Sequence, residues 1–161
     1  MAHIFVNKTG TQPVLEINVK GDTTNILTVP CLQDITLSAS TGVYSYTSFC
    51  QTDMSKLTTP GDNSIETNAI VDDIAFFGDE AATADSAPRL GVFGLSQNKV
   101  EVTFKLYWAG KTAGTTDLVT TGDGFITSLA PTVSPDSPVW MSPVTIAVNG
   151  AMTSARNGCL C

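Results

Sequence analysis

Adjacent carboxylates are the residues of this chain best suited to chemistry. Asp72–Asp73 and Asp79–Glu80 are pairs in which one group can act as general acid and the other as base or nucleophile, as at a glycosidase centre. They sit in a stretch, Asp62 to Asp85, that holds seven acidic residues and no basic one. Such a run is far more commonly a solvated acidic face than a catalytic one. The single histidine, His3, stands two residues from a terminus expected to be mobile, so no Ser-His-Asp or Cys-His unit is expected. Gly110-Lys111-Thr112 has the ending of a phosphate-binding loop. However, Lys105 occupies the place of that motif's first glycine and no helical pattern follows, so the stretch reads as a turn.

Metal chemistry fares no better. The four cysteines are Cys31, Cys50, Cys159 and Cys161. The spacing of Cys159-Leu160-Cys161 is not that of a zinc-binding pair, and no histidine accompanies it. Reduced thiols are expected, with 154–161 as a mobile tail. Asn7-Lys8-Thr9 fits a glycosylation acceptor but no secretory signal accompanies it, so it carries little meaning. The sequence points to no enzyme, no cofactor and no metal.

A chain of 161 residues, 42% hydrophobic and 14% charged, fits one globular domain spanning 1–161. The 23 threonines favour strands, because β-branched side chains suit a pleated surface. Eight basic against fifteen acidic residues give −7, which argues against gripping DNA through its phosphates. A wall past which phosphate slides remains compatible. No apolar run is long enough for a membrane span, so no membrane partner is expected, and the chain is expected in a cytoplasm.

The elements that must position these residues are mostly strands. Val100, Val102, Phe104, Leu106 and Trp108 alternate with Glu101, Thr103, Lys105 and Tyr107, which is one strand with a buried and a wet face. Leu15, Ile17 and Val19 alternate likewise, as do Ile35, Leu37 and Ala39. Thr41-Gly42 reads as a tight turn into a strand from Val43 to Phe49. Further strands are expected over 25–29, 124–129 and 143–148. Gly21-Asp22, Gly122-Asp123-Gly124 and Asn149-Gly150 supply turn chemistry. Trp108 and Trp140 are expected to be buried among Val100, Val102, Phe104, Ile146 and Val148.

Two stretches depart from this rhythm. Residues 51–68 are polar, contain Pro60-Gly61, and read as a long loop, which in a compact fold is functional or disordered. Residues 69–77 read as the one short helix, capped by Asn68, with Ile70, Ile74 and Phe77 on its buried face and Asp72 and Asp73 off it; a buried strand is the rival reading of the same stretch. The fold class is therefore all-β, a mainly antiparallel β-sandwich or barrel, with one short flanking α-helix.

Three segments carry a family resemblance. Gly124-Phe125-Ile126-Thr127-Ser128-Leu129, a Pro/Ser/Asp connection, and Val144-Thr145-Ile146-Ala147-Val148-Asn149-Gly150 resemble the closing hairpin of lambda-like phage tail tube proteins. Phe104-Lys105-Leu106-Tyr107-Trp108 is similar to an earlier strand of that family that ends in Trp. Ile65-Glu66-Thr67 resembles the segment after its long loop. One departure stands out: relatives place a helix after the Trp-ended strand, where this chain has a Gly/Thr-rich turn from Ala109 to Asp117.

The resemblance implies a structural subunit related to the type VI secretion tube. It would form stacked, six-membered rings around a conduit in the tail of a virion assembled in the host cytoplasm. DNA would pass without specific binding, and terminator, tape-measure and baseplate proteins would be partners. It also implies that the long loop, with Thr52, Met54, Leu57, Pro60 and Asp62, reaches a neighbouring subunit. Asp72, Asp73, Asp79, Glu80 and Asp85 are the candidate acidic lumen or surface. A capsid decoration (cement) protein and a carbohydrate-binding or adhesin module are the alternatives.

Overall fold

The computed structural model describes residues 13–29, 32–50, 52–108, 110, 117–136 and 139–157. The strands are β1 (Val14–Val19), β2 (Leu27–Val29), β3 (Leu32–Tyr46), β4 (Ser55–Ile70), β5 (Val102–Tyr107), β6 (Asp117–Leu129), β7 (Met141–Val148) and β8 (Thr153–Asn157). Two helices, α1 (Asp73–Phe77) and α2 (Ala87–Gln97), lie between β4 and β5. All eight strands belong to one antiparallel sheet in the order β2-β1-β5-β6-β7-β4-β3. β8 pairs with β6 on the flank opposite β5, in line with β7.

The period-two patterns place the core. Val102, Phe104 and Leu106 are fully buried with Leu15 and Ile17 of β1, Ile65 of β4 and Val144 and Ile146 of β7. The helices cover this face through Ala75, Phe76, Ala87, Val92 and Leu95. The all-β, mainly antiparallel expectation with a flanking helix therefore holds. A second helix, α2, joins α1. Its start is marked by Ser86, whose hydroxyl accepts the Arg89 N–H, and by Pro88 in the first turn. Gly91, at φ 67, breaks α2 into two short pieces, and with Gly94 it hides the helical period.

Several expectations are corrected. Thr41-Gly42 is not a turn: β3 runs straight through it. The 51–68 loop is mostly strand, because β4 starts at Ser55 and pairs with β3 along its length. Pro60 and Gly61 together face the single residue Thr41, a bulge between the pairs Ser40–Asp62 and Gly42–Thr59. A bulge is where proline fits a strand, since no ladder bond is asked of its nitrogen.

Ala69 and Ile70 close β4 opposite Ser142 and Met141, so the helix begins only at Asp73. Ala75 and Phe76 are its buried residues, whereas Ile74 is 57% and Phe77 49% exposed. Asn68 does not cap it, and its amide donates to Asp34 instead. Gly122-Asp123-Gly124 lies within β6, where a Cβ on Gly122 would stand 2.9 Å from the Phe104 ring. Trp140 is 49% exposed, while Trp108 is half-buried, its indole donating to Thr120 Oγ1 at 2.8 Å. Residues 154–157 are strand β8. His3, Cys31, Cys159, Cys161, Lys111 and Thr112 lie outside the described residues.

Candidate assembly surfaces

Among the described residues, a two-stranded arm is exposed along almost its whole length. Residues 40–46 of β3 and 55–62 of β4 pair with each other, and among the described residues no other strand pairs with them. The arm extends about 25 Å past the last β4–β7 pair at the usual rise of a strand. It includes the residues assigned to an inter-subunit loop, in a different form. Thr52 and Met54 are exposed in the connection between the strands. Leu57 stands opposite Tyr44 on β4, and Pro60 sits in the bulge. Asp62 is held by its backbone: its N–H and carbonyl both meet the Ser40 hydroxyl, at 3.4 and 2.9 Å. Tyr44 and Tyr46 stack with ring centroids 6.3 Å apart, and Val43, Phe49, Met54 and Leu57 are exposed. The arm thus shows solvent an apolar surface that its own chain leaves uncovered among the described residues. An isolated two-stranded ribbon of this kind is marginal in water.

The acidic residues gather around the helices. Asp72 precedes α1 without a side-chain capping bond and Asp73 opens its first turn. The Asp79 carboxylate accepts the Ala81 N–H at 2.9 Å. The Glu80 carbonyl accepts from the Arg89 guanidinium, and Asp85 adopts φ 60. Four of the five are exposed and Asp79 is half-buried. Beside them, Phe76, Phe77 and Phe93 form an aromatic cluster with centroids 5.0 to 6.5 Å apart. A signal for Phe93 existed in the Ser86–Pro88 helix start, but the two glycines masked it.

The face of the sheet away from the helices is polar. In neighbouring strands Thr36, Glu66 and Thr145 form one row, and Asp34, Asn68 and Pro143 another. Near the other end Lys20 Nζ reaches Glu101 at 3.0 Å and Asp123 at 3.6 Å, and Asn149 donates to Glu101 at 3.1 Å. The hydrogen bond and charge of Glu101 raise the Lys20 pKa. Glu101 is lowered by the bonds from Lys20 and Asn149. Two shallow hollows on this face, about 210 and 270 Å³, are open to solvent. Among the described residues no three His, Cys, Asp or Glu side chains are placed to hold a metal ion. None of the described helices is long and apolar enough to cross a membrane. What the geometry offers is edges and an arm: among the described residues β3 and β2 end the sheet with unpaired flanks, and such flanks invite pairing with another strand.

No protein-family model matches the sequence, and no curated protein does. Solved structures do match in fold. A chain of the tail of an empty gene transfer agent particle, refined with C6 symmetry, is 13% identical with a TM-score of 0.57 over 87% of this chain and 92% of that one. A chain of the sheath-tube complex of an extracellular contractile injection system is 15% identical, TM-score 0.55, over 89% and 88%. A chain of that system's sheath/tube terminator structure is 15% identical, TM-score 0.58, over 96% and 97%. The chain therefore has the fold found in chains of tail and contractile-injection assemblies. At these identities the shared property is the fold.

Proposed function

We propose that this chain is a non-enzymatic structural subunit of a phage-like tail tube. Copies of it build six-membered rings that stack into a hollow conduit. The observation that carries the reading is the uncovered β3–β4 arm on a fold shared with chains of tail assemblies. An arm with apolar surface on a marginal ribbon is ordered at reasonable cost only when another chain buries it. Thr52, Met54, Leu57, Pro60 and Asp62 then belong to the inter-subunit contact. Asp72, Asp73, Asp79, Glu80 and Asp85 supply an acidic surface in the assembly. DNA passes through without being bound, because like charge keeps phosphate off the wall. Other tail proteins (terminator, tape measure, baseplate) cap and start the tube, which assembles in the host cytoplasm and resides in the virion tail.

A second reading has one observation in its favour. A chain of a sheath/tube terminator structure and one of a tube-terminating cap overlap 96% and 97% of this chain. A capping subunit forms one ring and stops. Negative-stain microscopy of the purified protein at rising concentration separates the two. Hollow rods are expected for the tube, single rings mean the cap, and a monomer at all concentrations, with or without tail extract as nucleus, defeats both.

A further inference from the structure

The arm and the helical layer each show apolar surface that nothing covers among the described residues. On the arm, Tyr44, Tyr46 and Leu57 share one face, since Tyr44 stands opposite Leu57 and strand positions two apart point the same way. On the helices, Ile74 and Phe77 lie one turn apart on α1. The Phe77 ring is 5.9 Å from Phe93 of α2, which is itself 40% exposed. Buried Phe76 supports both rings from below. The patch is rigid because α1 and α2 meet backbone to backbone, with no room for a Cβ on either Gly78 or Gly91.

We propose that the Ile74–Phe77–Phe93 patch is the seat for the Tyr44–Tyr46–Leu57 face of the arm from a second copy of this chain. The inference rests on the tube reading and names the receiving surface that reading needs. Charge selects the occupant. From Asp72 to Phe93 there are five carboxylates and one guanidinium, 1 − 5 = −4. From Thr41 to Thr59 there are only Asp53 and Lys56, which cancel. The near-neutral arm can approach the acidic layer, whereas the sheet face with Asp34 and Glu66 meets like charge. Both surfaces are built of rigid aromatics, which lose little side-chain freedom on contact. Because the two surfaces differ, the contact is head-to-tail. It propagates into rings or stacks, where a two-fold contact would stop at a dimer.

Cross-linking between copies tests this. In a chain with Cys31, Cys50, Cys159 and Cys161 replaced by Ser, Leu57→Cys and Phe77→Cys are introduced together and the protein is oxidised mildly before and after assembly. A ladder of covalent multimers is expected from the assembled protein and not from the dilute subunit. In parallel, Leu57→Asp and Phe93→Asp are each expected to raise the concentration needed for assembly about tenfold or more, with the subunit's unfolding temperature unchanged for Leu57→Asp. Tubes that form without the ladder overturn the inference and leave the tube reading standing. A parent protein that never assembles defeats both. If Phe93→Asp unfolds the subunit, the ladder alone decides.

Discussion

Phe104 and Gly122 fix each other across β5 and β6. Phe104 is fully buried, and its ring end lies where the Gly122 side chain would begin. Phe104→Ala is expected to lower stability by about 3–5 kcal/mol, measured by chemical denaturation. Gly122→Ala is expected to destabilise the parent protein and to cost clearly less in a Phe104→Leu background, because leucine lacks the distal ring carbon. Equal costs in both backgrounds would show that the glycine serves something other than the ring. A second residue-scale effect follows from Asp22, the turn residue after β1. Its carboxylate accepts from the Asn25 amide, the Thr24 N–H and the Thr24 hydroxyl. These bonds lower its pKa to about 2. A carboxyl whose folded pKa is depressed adds stability above its unfolded pKa, about 4, and loses it as pH falls through the folded value. Asp22→Ala should therefore melt lower than the parent protein at pH 7, and the gap should close between pH 4 and 2. A gap that stays constant over that range would mean the carboxylate charge is irrelevant to the turn.

Among the elements, α1 and α2 meet backbone to backbone at Gly78 and Gly91. A Cβ on Gly91 would stand 2.5 Å from the Gly78 nitrogen and 2.6 Å from the Phe76 carbonyl, and Gly91 has φ 67, a conformation that costs a residue with a side chain. Gly91→Ala is expected to destabilise the subunit by more than about 1 kcal/mol. Near-ultraviolet circular dichroism should also show the Phe77–Phe93 contact loosened. An unchanged spectrum and melting point would mean the layer tolerates displacement. How far the sequence revealed these elements depends on which force fixed them. β1, β5 and β7 were legible because apolar residues alternate with polar ones along them, so the period of two is written in residue type, although Glu16 and Asn18 of β1 and Tyr107 of β5 are buried on the second face as well. The arm was not: neither face of Ser55–Asp62 is buried, so no alternation exists to read, and Pro60-Gly61 mimics a loop. Helix α1 was placed near its true position but turned the wrong way. The expectation that Ile74 and Phe77 point inward assumed that large apolar residues find the chain's own core. Their exposure is the observation on which the proposed assembly surface rests. The adjacent carboxylates were legible as an acidic face and carried no further detail, since nothing in their spacing says what the face meets.

At the scale of the whole molecule, net charge works against self-association. In the proposed ring, six copies would carry 6 × −7 = −42, spread over surfaces that would have to approach within a few ångströms. At physiological ionic strength charges are felt over about 8 Å, and at low salt over a longer range. The proposed burial of Tyr44, Leu57, Phe77 and Phe93 between copies would be apolar and not weakened by screening. If assembly is held by such contacts and opposed by the acidic surfaces, salt should help it. The protein concentration at which rods first sediment is expected to fall as sodium chloride rises from about 20 mM to about 300 mM, where the screening length has dropped several-fold. The opposite result, rods that dissolve as salt is added, would mean that ion pairs between copies hold the tube. Lys56 of the arm and Asp72 or Asp73 beside the patch would then be the first groups to reverse in charge. The two outcomes differ in sign, so a single titration followed by light scattering decides whether the acidic character of this chain holds its subunits together or is tolerated by them.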